Sequence, residues 1–228
     1  MSKKMFDDAI FEELRKKFKE TKAGFNEIIS EVRSRAVKTV YSKGELHNVL
    51  PFENELMGSK VSGRVIPNEI IDDNCNRYSY DDKGRVILKE NMSSFLKMFY
   101  YSTMYFYDTD NITTMYWSYY DLSNITRYEM KNGRPNKAYS VAIGGERTAD
   151  YIYNGNELAA VEEEYTHESM RRKLCFYYKK DGKLLKIIGR YENGYSNVCF
   201  TSEKINYKKL EERLFESLVG LFSDTAKN

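Results

Sequence analysis

The sequence contains few prolines, cysteines and histidines. Among 228 residues there are three prolines, three cysteines and two histidines. The cysteines Cys75, Cys175 and Cys199 are odd in number and lack the spacing of a metal pair, so they predict reduced, packed thiols. With only His47 and His167 available, most histidine-based catalytic or metal sites would depend on a single imidazole. We therefore expect no metal, no cofactor and no catalytic constellation.

Long apolar runs and a dominant charge are also missing. No stretch approaches the ~20 apolar residues of a membrane span. Residues 1–17 carry charges where a signal peptide needs an apolar segment, which predicts a cytoplasmic protein. Lys and Arg total 36 against 34 for Asp and Glu, a formal net charge of +2. This balance gives no overall attraction to nucleic acid or to an anionic membrane surface.

Tyrosine, in contrast, is abundant, with 20 residues. Tyrosine favours strands because its ring packs on a pleated surface while its hydroxyl stays hydrated. The excess predicts a sheet with wide, partly exposed aromatic faces.

Both ends of the chain have helical periodicity. Residues 5–36 place apolar side chains at intervals of three and four, with Gly24 as the expected break or kink. Residues 206–223 place Leu210, Leu214, Leu218 and Leu221 on one face, following Asn206 as a candidate N-cap. The sequence therefore predicts a helical segment at each end.

The central residues 37–203 have the pattern of an antiparallel meander. Four Asn-Gly or Asp-Gly pairs, each a strong hairpin signal, alternate with strand-like runs, and no long helical pattern intervenes. The pairs begin at Asn132, Asn154, Asp181 and Asn193. Residues 93–107 leave two alternatives open, a strand or a short helix followed by a strand. We expect one domain, 1–228, with an α+β fold: a long meander of roughly eight to twelve strands packed by the two terminal helices.

A hairpin unit recurs within this region. Residues 78–90, YSYDDKGRVILKE, contain two aromatics two apart, a glycine turn and an apolar return strand, and Phe176 begins a unit with the same offsets. Shorter versions begin at Tyr105 and Tyr151. Because side chains two apart share one face of a strand, each unit predicts an aromatic-faced hairpin.

The sequence pattern of these hairpin units resembles two repeat families over about a third of the chain. YSYDDKGRV resembles the tyrosine–aspartate, or RHS-type, repeats of bacterial toxin shells. Residues 176–195, FYYKKDGKLLKIIGRYENGY, are similar to the MORN-variant repeats of small bacterial antitoxin-like proteins. The chain departs from both, because a toxin shell has many more repeats and the MORN variants are more regular and lack a long N-terminal helix. The resemblance implies a β-meander scaffold from toxin–immunity systems and transfers no catalytic residue.

One segment suggests an enzyme. Residues 104–112, MYFYDTDNI, resemble the strand and Asp-x-Asp motif of haloacid-dehalogenase-type phosphotransferases, with Asp108 as nucleophile and Asp110 as acid/base. That chemistry needs a parallel sheet and further acidic residues for Mg²⁺, which the sequence pattern does not provide. The turn chemistry favours a polar hairpin loop instead. Residues 143–147, IGGER, lack the spacing of a phosphate-binding loop and predict a turn or bulge.

Charge is segregated along the chain. Residues 146–168 are strongly acidic and residues 171–190 strongly basic. If 157–166 and 172–180 are neighbouring antiparallel strands, their opposite charges pair across the ladder. Alternatively, the basic strands bind single-stranded nucleic acid by stacking bases on Phe176 or Tyr178. A third interpretation is an acidic face that docks a basic protein partner. The candidate residues for this partner-binding face are Asp150, Glu157, Glu162, Glu163, Glu164 and Tyr165.

From these patterns we expect a non-enzymatic protein-binding module, most concretely a bacterial immunity or antitoxin-type protein that occludes a toxin domain. The alternatives are a metal-dependent phosphotransferase or hydrolase that uses Asp108 and Asp110, and a structural phage or shell component. The oligomeric state is left open.

Overall fold

The structure is a computed structural model, and it describes residues 8–56, 63–67, 75–93, 98–166 and 170–202. Within these ranges the protein is mostly β, with N-terminal helices and a sheet of 13 strands. The predicted antiparallel meander with N-terminal helices is confirmed, although the fold is mostly β and the strand number exceeds the expected eight to twelve. The predicted C-terminal helix at 206–223 lies outside the described residues.

Two helices form the N-terminal part of the fold. α1 spans Asp8–Thr21 and α2 spans Phe25–Ser34. Gly24 separates them, and its N–H donates to the Thr21 carbonyl at 2.8 Å. Glycine is about 1 kcal/mol less favourable than alanine inside a helix, so the break falls there. The predicted helical segment with an interruption at Gly24 is confirmed for the described residues.

All the described strands belong to one antiparallel sheet. Its order is β13-β12-β11-β10-β9-β8-β7-β6-β5-β4-β3-β1-β2. From β3 to β13 each strand pairs with its neighbours in sequence, which confirms the meander. At the other edge β1 lies between β3 and β2, a departure from sequence order that the turn pattern did not predict. The strands are β1 (Lys38–Lys43), β2 (Arg64–Ile66), β3 (Cys75–Tyr80), β4 (Val86–Ser93), β5 (Met98–Tyr107), β6 (Asn111–Ser118), β7 (Asp121–Lys131), β8 (Arg134–Ala142), β9 (Gly145–Asn154), β10 (Glu157–Tyr165), β11 (Met170–Tyr178), β12 (Leu184–Tyr191) and β13 (Ser196–Thr201).

The segment with two open alternatives, residues 93–107, is strand wherever it is described. β4 ends at Ser93 and β5 covers Met98–Tyr107. Tyr105 and Phe106 pair with Thr114 and Thr113 of β6. Residues 94–97 lie outside the described ranges.

The predicted hairpin turns lie where the Asn-Gly and Asp-Gly pairs placed them. Between β7 and β8, Asn132 and Gly133 both have positive φ, 53° and 75°. This is the backbone that a two-residue type I′ turn requires. At the other three pairs only the glycine has positive φ, and the neighbouring ladders contain register shifts. The β9–β10 turn keeps two residues, 155 and 156, whereas five residues separate the paired strand ends at the β11–β12 and β12–β13 turns.

The two faces of the sheet pack against different parts of the chain. On the helix face, Trp117 and Ile125 are fully buried beneath α1 and α2, whose Phe11 and Val32 pack in the same cluster. On the opposite face, Tyr128 packs in a second cluster over β7 to β13. We call this second side the cavity face. On β7 and β8, which contribute to both clusters, the two sets lie on opposite faces because successive side chains point to opposite sides of a sheet.

Among the described residues, the segment 45–56 covers the cavity face, and we call it the strap. It ends in a short helix, α3, at Glu53–Leu56. Phe52 packs on Phe176 of β11, with ring centroids 5.7 Å apart. Val49 contacts the clusters at both ends of the cavity face. The strap therefore encloses space between itself and the sheet.

Candidate functional site

The space beneath the strap is a cavity of about 660 Å³. Side chains from β4 to β11 and β13 line it together with the strap. The volume falls within the range of about 300–1,000 Å³ that small-molecule sites occupy. Five tyrosines line its wall, namely Tyr105, Tyr116, Tyr128, Tyr151 and Tyr165.

An ion cluster of Arg147, Glu163 and Arg172 forms one end of the cavity wall. Arg172 Nε donates to Glu163 Oε2 at 2.7 Å, and Arg147 Nη1 donates to Glu163 Oε1 at 3.1 Å. Only 4% of the Glu163 side chain is exposed, against 26% for each arginine. Burial acts to lower the pKa of each arginine, but the Glu163 charge outweighs it and raises the pKa above its ordinary value. Both arginines are therefore cations, and together they share one carboxylate.

A second ion pair lies near the other end of the cavity. Lys89 Nζ is 2.5 Å from Glu45 Oε2. The Tyr78 hydroxyl also donates to Glu45 Oε2, at 2.8 Å, and accepts the Leu46 N–H at 3.1 Å. Burial raises the pKa of Glu53, which lines the cavity, and Lys89 partly opposes this shift. These contacts fix the start of the strap to β3 and β4.

Small hydroxyl side chains form the floor between the two charged ends. Thr114, Thr126 and Ser140 occupy facing positions on β6, β7 and β8. Thr126 Oγ1 lies 2.9 Å from Ser140 Oγ in a hydrogen bond. Burial raises the pKa of the neighbouring Tyr128 to about 12, so its hydroxyl is neutral. The floor is polar and uncharged.

Two tyrosines of the wall have no hydrogen-bond partner for their hydroxyls in the described part of the chain. Tyr105 and Tyr151 are 5% and 7% exposed. Among the described residues no hydrogen bond to either hydroxyl is found. Burial raises the pKa of both well above its ordinary value, so each hydroxyl keeps its proton and can donate it.

A group of stacked tyrosines lies at one end of β5, β6 and β7. We call Tyr100, Tyr101, Tyr116, Tyr119 and Tyr120 the aromatic rim. The ring centroids of Tyr101 and Tyr116 are 6.1 Å apart, and those of Tyr100 and Tyr119 are 5.6 Å apart. Tyr101, Tyr119 and Tyr120 are 39%, 41% and 48% exposed. Because Tyr116 also lines the cavity, the rim is continuous with the cavity mouth.

The rim is held in place from the helix side. Tyr120 packs edge-on against Phe25 of α2, with ring centroids 5.3 Å apart. Phe25 in turn packs edge-on against the buried Trp117 at 5.1 Å. The Tyr119 N–H donates to the Tyr100 carbonyl at 2.7 Å. These contacts connect the rim to α2 and to the backbone of β5.

The acidic residues predicted to bind a partner are divided between the two faces. Glu163 and Tyr165 line the cavity, whereas Glu162 lies on the other side of β10 and Glu157 is exposed at its start. The expected cross-strand pairing is confirmed, because Glu162, Glu163 and Glu164 face Lys173, Arg172 and Arg171 in the ladder. Glu162 and Glu164 form ion pairs at 2.6 and 3.0 Å, and Asp150 pairs with Lys137 at 3.7 Å. Whether these residues contact a partner stays a prediction.

The residues proposed to stack nucleic-acid bases are packed within the fold. Phe176 is 7% exposed, with Phe52 of the strap beside it. The Tyr178 hydroxyl donates to the Leu158 carbonyl at 2.9 Å. This geometry gives no support to base stacking at these two positions.

The Asp-x-Asp motif lies in the turn between β5 and β6. Asp108 and Asp110 are exposed, and Asp108 Oδ1 accepts the Thr109 N–H at 2.7 Å. β5 and β6 are antiparallel, so the parallel sheet of the phosphotransferase motif is not present here. Within the described ranges no group of three or more His, Cys, Asp or Glu side chains could hold a metal ion. The expected polar hairpin turn is confirmed at this position.

The remaining candidates from the sequence are the two histidines and the Gly-Gly pair at 144–145. His47 lies in the strap, edge-on to Tyr105 with ring centroids 5.3 Å apart, and its buried Nε2 has no hydrogen-bond partner. Burial, followed by the charge of Lys89, lowers the pKa of His47. Ile143 and Gly144 form the predicted turn between β8 and β9, and Gly145 begins β9. His167 lies outside the described residues.

Sequence reasoning missed the cavity and did not assign the rim. The rim leaves a signal in the sequence, the Tyr-Tyr pairs at 100–101 in β5 and at 119–120 in the turn between β6 and β7. The cavity leaves no comparable signal, since Arg147 and Arg172 read as ordinary surface charges.

No protein-family model matches the chain, and no curated protein is significantly similar to it. In the described part of the chain, none of the helices is long and apolar enough to cross a membrane.

Proposed function

We propose that this chain is a non-enzymatic protein-binding module, of the immunity or antitoxin type, which acts in the cytoplasm by occluding a toxin domain. The observation that carries the proposal is the aromatic rim. It is a cluster of five tyrosines at one end of β5 and β6, three of them exposed, and one member, Tyr116, also lines the cavity.

Tyrosine clusters of this kind suit protein recognition. A tyrosine supplies a large, amphipathic contact area and loses little conformational entropy on binding. Aromatic residues are enriched at interfaces, and charged residues are depleted at their centres. The rim meets both conditions, because its five members are uncharged aromatics whose rings already stack on one another.

The charge distribution supports a neutral contact centre. Glu162, Glu163 and Glu164 of β10 are paired with basic residues of β11 rather than presented as a free acidic face. Charged groups at an interface contribute more to the association rate and to the orientation of the partner than to affinity. The repeat resemblance to toxin-shell and antitoxin-like proteins supplies the class of partner.

The experiment is an affinity capture with three baits from the source organism's lysate, read by quantitative mass spectrometry. The baits are the native chain, the double variant Tyr101→Ser/Tyr119→Asn, and Tyr195→Ser as a matched control. Tyr195 is 61% exposed in the turn between β12 and β13, away from the rim. Asparagine is chosen at Tyr119 because its φ of 58° lies in the left-handed region that asparagine tolerates.

The proposal expects one stoichiometric protein partner with the native chain and with Tyr195→Ser, and its loss with the rim variant. Inhibition of that partner's toxic activity by the native chain completes the test. Equal recovery with all three baits would contradict the role of the rim. Self-association through the rim, measured as a change in molar mass in solution, would favour the shell-component alternative.

A further inference from the structure

We propose that the cavity beneath the strap binds a small organic anion, a carboxylate or sulfonate attached to an apolar body. This site is separate from the protein-binding role of the rim and does not depend on it.

The ion cluster supplies the anion-binding group. Arg147 and Arg172 are two cations that share the single carboxylate of Glu163, so the cluster has an excess positive charge. A guanidinium has five N–H donors. For the Arg147 side chain the described residues provide one hydrogen-bond acceptor, Glu163. Its remaining donors face a cavity that a ligand acceptor can enter.

The tyrosine hydroxyls add donors of the same kind. Tyr151 and Tyr105 are buried in the wall, and the described residues offer their hydroxyls no acceptor. Both residues line the cavity, so an acceptor on a ligand can take the place of water at these hydroxyls. Both hydroxyls remain protonated and act as donors. The cavity therefore offers hydrogen-bond donors from these hydroxyls, which favour a ligand that is rich in acceptors.

The carboxylates of the cavity do not favour a cation. Of the carboxylates that line the cavity, Glu163 is paired with two arginines and Glu146 with Arg15 of α1. Glu45, beside the cavity, is paired with Lys89. Burial raises the pKa of Glu53, which weakens it as a counter-ion. A cationic ligand would have to compete with existing ion pairs, whereas an anion complements the excess positive charge of the cluster.

The rest of the wall is apolar and fits the body of the ligand. Val161, Leu174 and Phe176 adjoin the arginines on the sheet, and Leu50 and Leu56 face them from the strap. A cavity of about 660 Å³ accommodates a body of one or two rings. An apolar ring system that carries one acidic group matches this wall.

The test uses two fluorescent probes with related ring systems, the anionic anilinonaphthalene sulfonate and the neutral phenylnaphthylamine. Both are titrated into the full chain and into Arg147→Gln, Arg147→Lys and Tyr151→Phe. Lys137→Gln is the matched control, because Lys137 forms a cross-strand pair with Asp150 of β9, the strand that also carries Arg147.

We expect one anionic probe per chain. Arg147→Gln should weaken the anionic probe about ten-fold, since a charge-assisted hydrogen bond is lost, and leave the neutral probe within about two-fold. Arg147→Lys should recover part of the loss, and Lys137→Gln should have no effect. Tyr151→Phe removes the unpartnered hydroxyl without removing an existing hydrogen bond, so it tests the site in a variant that keeps its fold.

Three results would overturn the proposal: no binding of the anionic probe, equal loss of both probes in Arg147→Gln, or unchanged anionic binding in both Arg147→Gln and Tyr151→Phe. The rim variant Tyr101→Ser/Tyr119→Asn should bind the anionic probe as the native chain does. Loss of the probe in that variant would place the anion at the rim and also overturn the cavity assignment.

Discussion

Glu163 and Arg172 face each other across the β10–β11 ladder, and Arg172 Nε donates to Glu163 Oε2 at 2.7 Å. Arg147, on β9, reaches the other oxygen of the same carboxylate. One nearly buried carboxylate therefore joins three successive strands and at the same time forms part of the cavity wall. Its removal affects both stability and the chemistry of the cavity.

Glu163→Gln should lower the free energy of unfolding by about 3 kcal/mol, because two partly buried arginines lose their counter-charge. Urea unfolding followed by circular dichroism measures this. The matched control is Glu162→Gln, one residue away, whose ion pair with Lys173 has 43% and 47% of the side chains exposed. An exposed pair of this kind contributes less than about 1 kcal/mol. Equal losses in the two variants would mean that the ion cluster has no special role in stability.

His47→Phe should reduce the pH dependence of stability. Burial lowers the folded-state pKa of His47 below 6.5, so the unfolded chain takes up the proton first as the pH falls. Stability is therefore unaffected by His47 above the unfolded pKa and decreases as the pH falls from 6.5 toward the folded pKa. Phenylalanine keeps a ring beside Tyr105 and cannot titrate.

The measurement is urea unfolding of both proteins between about pH 8 and about pH 5. We expect the native chain to lose more stability across this interval than His47→Phe. The chain has two histidines, so the variant leaves His167 as the remaining imidazole. Parallel pH profiles for the two proteins would show that His47 does not contribute.

Gly133→Ala should destabilise the β7–β8 hairpin by about 1 kcal/mol, because φ is 75° there and an L side chain is strained in that region. Thermal or urea unfolding measures the loss. Gly144→Ala is the matched control: an added Cβ meets no atom within 4 Å at either position, and Gly144 lacks the positive φ. A loss in Gly144→Ala as large as in Gly133→Ala would contradict the conformational explanation.

The sheet could be predicted from the sequence because its turns and strands are specified by residues that are close together in the chain. Asn132-Gly133 encodes a turn by the backbone that those two residues allow, and an alternating run on either side completes the hairpin. The opposite charges of Glu162 and Lys173 likewise follow once β10 and β11 are recognised as neighbours. Predicting these features requires only a recognisable turn and the alternation of side chains along a strand.

The position of β1 and the strap could not be predicted, because they depend on contacts between distant parts of the chain. Glu45 is held by Tyr78 of β3 and Lys89 of β4, and Phe52 packs on Phe176 of β11. No local pattern links these residues. The cavity exists only where the strap crosses the sheet, so its lining could not be assembled from the sequence.

The central claim is that the aromatic rim binds a protein partner, and hydrogen–deuterium exchange on the purified complex tests it most directly. The account predicts slower amide exchange in residues 98–120, which contain the rim, when the captured partner is bound. The backbone of β12 and β13 should exchange as it does in the free chain. Protection confined to β12 and β13, with residues 98–120 unchanged, would contradict the account.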